Sequence, residues 1–164
     1  MVEREHDPPN PRAERRAARL AAVQALYQME LTGKGSETVA QEFLEHPLGD
    51  EPSAPDEHLF RSILAGVPHR QSEIDRAIAS CLSAKWRLER IDSILRAILR
   101  AAAFEILARP DIPARVAIDE YIEIAHRFCA AEECRFVNAA LDRLARGARP
   151  AEFAGSPSDE RPDS

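Results

Sequence analysis

Between Glu89 and Ala108, apolar side chains return at helical spacing, and this run limits the fold more than any other segment. Ile91, Ile94, Leu95, Ile98, Leu99, Ala102 and Ile106 share one broad face of a helix, too wide for a single neighbour to cover. The rest of the chain supplies further helices. No stretch alternates convincingly with the period of two that a half-buried strand needs, and six glycines leave few tight turns. The expected fold is all-α: a compact antiparallel bundle of about six to seven helices, its neighbours joined by short connections.

Local signals place most helix boundaries. Asn10 suits an N-cap and Pro11 the first helical position, where a missing N–H costs nothing. Leu20, Val23, Leu26, Tyr27 and Leu31 follow at helical spacing, and Gly33 ends the run. A second helix is expected over Glu37–Glu45 with Ser36 as its cap. After a proline-rich loop over 47–55 comes a helical stretch from Asp56 to about Ser83, which Pro68 should kink or split after Gly66. Asp111-Ile-Pro113 opens another helix, with Ala117, Tyr121, Ile124 and Phe128 on one side. A last helix, from about Glu133 to Ala145, carries Val137, Leu141 and Leu144. These form one domain over 12–147, with a flexible arm at 1–11. A tail at 148–164 has too little apolar content to offset the entropy of ordering, and reads as disordered.

Charge singles out the first helix. Arg12, Arg15, Arg16 and Arg19 face one acid, Glu14, in a chain of net charge −6. At ~100° per residue the four fall within an arc of about 100°. Phosphates bind such a stripe by charge neutralisation and counterion release. Val23 and Leu26 lie on the same side. Arginines do not share a dry core with them, so the first two turns are expected to project past the body or pack at its rim.

Catalytic chemistry finds little support. There is no glycine-rich phosphate loop, no nucleophile–base set in a recognisable context, and no metal-ligand spacing among His6, His46, His58, His69 and His126. The reading assigns no catalytic residue, metal or cofactor. Asp119-Glu120 and Glu132-Glu133 fit the positive ends of helix dipoles. Cys81, Cys129 and Cys134 read as reduced thiols of a cytoplasmic protein. No apolar run approaches the ~18 residues of a membrane span, and the N-terminus lacks a secretory core. Trp86 reads as a packing anchor in preference to a ligand platform. Glu105 falls between Ile94 and Ile98 on an apolar face, so an arginine or backbone donors must hold it. Arg96 and Arg100 form a second, shorter basic pair. Arg135-Phe136-Val137-Asn138 sets a cation, an aromatic and an amide near a helix start; Phe136 fits either a core position or an exposed ring on which a base stacks.

Five of these segments resemble, in order, those of the NusB family of transcription antitermination factors. They are Arg15-Arg-Ala-Ala-Arg-Leu-Ala-Ala-Val-Gln-Ala-Leu-Tyr27, Ile63-Leu-Ala-Gly-Val67, Ile98-Leu-Arg-Ala-Ala-Ala-Phe-Glu-Ile-Leu107, the stretch from Asp111 to Ala125, and Arg135-Phe-Val-Asn-Ala-Ala-Leu-Asp142. The resemblance implies two three-helix halves, and binding of the single-stranded boxA RNA of nascent ribosomal transcripts. It implies a heterodimer with NusE, a small-subunit ribosomal protein, acting on the RNA polymerase elongation complex. Arg12 extends the arginine segment; Arg15, Arg16 and Arg19 match its RNA-contacting part, and Glu132, Arg135 and Phe136 match a second RNA-facing region. Tyr27 matches a position on the NusE surface, with Leu95 on the same side. The chain departs from the family pattern at Ala17, Asp119 and Ala139, and at Leu95, where a polar contact is expected. An acidic body also suits a basic ribosomal partner, since opposite fields orient association. A homodimer covering the stripe would be autoinhibitory. Two rival readings are a protein–protein adaptor whose arginines meet acidic partners, and a detached accessory domain of a ribosomal RNA methyltransferase.

Overall fold

The computed structural model describes residues 10–46, 53–83 and 85–154, and among them every regular element is helical. The expected arm (apart from Asn10 and Pro11), most of the proline-rich loop and the last ten residues of the tail lie outside the described residues.

The first helix, α1 (Pro11–Thr32), begins and ends where its cap residues direct. The Asn10 side chain accepts from the Ala13 N–H, and Gly33 takes the left-handed conformation (φ 73°) with its N–H on the Met29 carbonyl. In α2 (Ser36–Glu45) the cap position falls on Gly35, with Ser36 already helical and no side-chain cap bond. Asp56 caps α3 (Glu57–His69) by accepting from Leu59 N–H. Pro68 sits in the last turn of α3, and the break comes at Arg70, before α4 (Gln71–Cys81). The predicted single central helix divides into a 3-10 turn, Leu88–Arg90, and α5 (Ser93–Ala108), whose N-terminus Asp92 caps through Ile94 N–H. Then follow α6 (Ala114–Phe128), α7 (Ala131–Ala148) and a short α8 (Pro150–Phe153).

Helices α1, α2 and α3 pack on one another, and α4, α6 and α7 surround α5, which also contacts α1 and α3. This is the expected all-α fold in two halves. The broad apolar face of α5 fills the middle: Leu95, Ile98, Leu99, Ala101 and Ala102 are all buried, against Phe60 and Ile63 of α3, Ile118 and Tyr121 of α6, and Leu141 of α7.

The C-terminal segment departs from expectation. Residues 148–154 are ordered because Arg149 reaches back across the bundle. Its guanidinium donates to the carbonyls of Glu105 (2.9 Å), Ile106 (2.8 Å), Arg109 and Ile112, groups at and just beyond the C-terminus of α5, where a helix runs out of its own donors; those of Glu105 and Arg109 also accept one backbone N–H each. Glu152 accepts from the Ala114 N–H (2.9 Å), capping α6, and Phe153 is buried beneath the guanidinium groups of Arg115 and Arg146. Proline-rich, polar composition hid a segment held by one long cation and one ring. Phe153→Ala should lower the free energy of unfolding by about 2 kcal/mol, below the usual range for such truncations because an edge relaxes. A denaturant midpoint unchanged from the parent would show that α8 contributes nothing. The bond from Ala114, then the Arg149 pair, hold the Glu152 carboxyl below its ordinary pKa. Its contribution is complete above the ordinary glutamate range and is lost as pH falls through the depressed value.

Candidate nucleic-acid interface

The arginine stripe divides into two layers. Arg19 is only 2% exposed. Its Nε and Nη2 donate to both oxygens of Glu105, at 2.9–3.1 Å, and Glu105 is wholly buried in α5. Burial opposes the Arg19 charge, but the hydrogen bonds and field of Glu105 outweigh it and hold the guanidinium above its ordinary pKa. Beside the pair, burial and the Glu105 charge push the Tyr121 phenol well above its ordinary range; its hydroxyl completes no well-formed hydrogen bond. Glu105 is therefore held by an arginine, as the sequence required. Arg19 is correspondingly corrected: it is a buried strut, not a surface contact. Of the two expected placements, the first two turns of α1 take the second: they pack at the rim of the body and do not project past it. Ala17, Ala18 and Arg19 are buried, and the Asp56 N–H donates to the Glu14 carbonyl.

One turn earlier, Arg16 forms a bidentate pair with Glu120 of α6 (2.9 and 3.1 Å) yet keeps its side chain 48% exposed. That hydrogen-bonded pair lowers the Glu120 carboxyl pKa against the effect of burial. Arg12 and Arg15 are exposed, and no ion pair to either occurs among the described residues. The usable cationic edge is Arg12, Arg15 and Arg16, bordering a small cleft lined by Arg16, Leu20, Glu120, Glu123, Ile124 and Arg127.

The second expected cluster lies at the start of α7, where Glu133 accepts from Ala130 N–H (3.0 Å). Glu132 and Arg135 are exposed, and Glu132 pairs loosely with Lys85 (3.7 Å). Phe136 is half-buried and lies nearly parallel to Trp86, with ring centroids 4.3 Å apart and planes at 21°. It is thus neither plain core nor an isolated exposed ring. Sequence reading took Trp86 as a packing anchor and missed Lys85 and the pairing with Phe136, because a lone aromatic in a link between helices has no periodicity to betray its neighbour. Arg16 meets α6 at Glu120, while α7 begins just past the end of α6 at Phe128. At 1.5 Å per residue those levels are about 12 Å apart.

Tyr27 lies on a third surface. With Gln24, Leu31, Asp92, Ile94 and Phe128 it lines an apolar groove of about 550 Å³. Leu31 is 62% exposed and Phe128 41%. Leu95, expected beside Tyr27, is 1% exposed inside the core and makes no surface. Its neighbour Ile94, about 100° round the helix, occupies the groove instead.

Burial, with the nearby Glu133 carboxylate, pushes the Cys129 thiol up to about 11. Among the described residues no group of three or more His, Cys, Asp or Glu is placed to hold a metal ion, and no helix is long and apolar enough to cross a membrane.

Known proteins share this sequence pattern and fold. The model of the NusB family matches residues 16–146. A transcription antitermination protein NusB from Maricaulis maris is 56% identical over 144 residues, covering 85% of this chain and 90% of that protein. Its counterpart from Caulobacter vibrioides is 49% identical over 140 residues, covering 82% and 94%. Among solved structures, NusB of T. maritima superposes with a TM-score of 0.74 at 34% identity, over 89% of this chain and 99% of that one. A complex of antitermination factors NusB and NusE with double-stranded RNA shares the fold, with a TM-score of 0.70 at 19% identity over 84% and 99%.

Proposed function

This chain belongs to the NusB family, and we propose that it acts in transcription antitermination by capturing boxA RNA of nascent ribosomal transcripts through Arg12, Arg15 and Arg16. The observation that carries this reading is the exposed, cationic first turn and a half of α1, standing on a chain of net charge −6. Phosphates meet a placed contact there, not a general basic coat. Arg135 and Phe136, at the start of α7, supply the second contact. The groove at Tyr27, Leu31, Ile94 and Phe128 is the surface assigned to NusE. The heterodimer delivers the RNA to the elongating polymerase in the cytoplasm. No reaction is assigned to it.

Replacing Arg12, Arg15 and Arg16 together by alanine should weaken boxA binding and flatten its dependence on salt by about two log–log units, at ~0.7 per phosphate contact. Affinity measured across a salt series for parent and triple variant checks this. An unchanged slope would reject the assignment. Arg19 is excluded from the triple because its loss disturbs the core.

A further inference from the structure

Trp86, the single tryptophan of the chain, lies on the link between α4 and the 3-10 turn, outside the periodic pattern of any helix. It is half-buried, and the hollow it lines is open. Cys81, Ser83, Phe136, Arg135 and Arg143 line it too, with Glu132 the only acid in its wall, and it encloses about 290 Å³. That is several times the ~30 Å³ share of one water molecule in the liquid.

The charges around it are arranged for an anion beside a ring. The Lys85 ammonium stands 5.6 Å above the Trp86 ring. No ion pair to Arg135 occurs among the described residues. The loose Lys85–Glu132 pair joins two side chains that are each more than two-thirds exposed. Such a surface pair has little net strength and exchanges readily for a phosphate.

The ring is also held in place. Arg96 donates to the carbonyls of Leu88 (3.0 Å) and Ile91 (2.9 Å), and pairs with Glu30 of α1, fixing the turn that follows Trp86. Arg143 donates to the Cys81 carbonyl (3.1 Å) at the other end of the link. A ring fixed on both sides loses little freedom when a ligand lies on it.

We propose that Trp86 and Phe136 act as one stacking platform for an unpaired base of single-stranded RNA, with Trp86 presenting the ring face and Phe136 backing it. The base takes the place of Lys85 over the ring, and Lys85 and Arg135 turn to the flanking phosphates. This rests on the boxA reading given above and adds a recognition residue to it.

Because the chain has one tryptophan, its emission reports on this platform alone. Unlabelled boxA single-stranded RNA should quench Trp86 emission saturably, along the same isotherm that anisotropy of a labelled boxA strand follows. Trp86→Leu should weaken binding about ten-fold, and Trp86→Phe should restore it to within about three-fold, since stacking tolerates any ring. The salt slope should stay that of the parent in both variants. Binding by anisotropy with Trp86 emission unmoved, or Trp86→Leu binding as tightly as the parent, would overturn the platform while leaving antitermination intact. No anisotropy change in the parent protein would defeat the RNA reading itself, and the platform with it. Should Trp86→Leu fail to fold, the emission of the unaltered protein decides.

Discussion

Glu105→Ala should lower the free energy of unfolding by about 3–5 kcal/mol, because it strands the Arg19 guanidinium in the core. The pair is closed on all sides: Glu105 is wholly buried and Arg19 is 2% exposed. Two of the three hydrogen bonds come from Arg19 Nε and one from Nη2, so the carboxylate is gripped by both its oxygens. Removing one partner leaves the other desolvated and unsatisfied. Removing both does not. Arg19→Leu with Glu105→Leu should recover most of the loss, since replacing a buried pair by apolar groups is often neutral. Urea midpoints of the parent, the two single variants and the double variant complete the cycle. A Glu105→Ala variant within about 1 kcal/mol of the parent would mean that water reaches the site. The double variant also separates structure from RNA contact: if Arg19 is only a strut, the variant binds boxA with the parent's salt slope.

That arrangement shows where sequence reading reaches its limit. Glu105 on an apolar face demanded an arginine or backbone donors, and the demand was legible from periodicity alone. The identity of the cation was not, because Arg19 lies 86 positions away in the chain. A helical wheel sets Arg19 with Arg12, Arg15 and Arg16 but carries no information on which turn of α1 meets α5. Cap chemistry is local, so Asn10, Pro11 and Gly33 were read to the residue. Leu95 was misplaced for a related reason: adjacent residues of a half-apolar helix differ by ~100° in facing, and only the packing of α1 and α6 decides which one is covered. The order of residues 148–154 depends on Arg149 reaching carbonyls some 40 positions earlier, which composition does not record.

Gly66→Ala should destabilise the protein by about 3 kcal/mol, against the preference of an isolated helix. In a solvated helix the same change is favourable by about 1 kcal/mol. Here a methyl group at Gly66 would overlap the Phe104 ring, with the farthest of three ring carbons only 2.9 Å away. Phe104 is 5% exposed and belongs to the core, so relief requires α3 and α5 to move apart. Separation of those helices would shift the residue next to Phe104, which is Glu105, and so loosen the grip on Arg19. Two segments that sequence comparison treats separately, Ile63–Val67 and Phe104-Glu105, are therefore the two sides of one close approach. Phe104→Leu in the Gly66→Ala background should restore part of the loss, giving a favourable coupling where two independent defects would show none. Additive losses in that double variant would place the strain somewhere other than the ring.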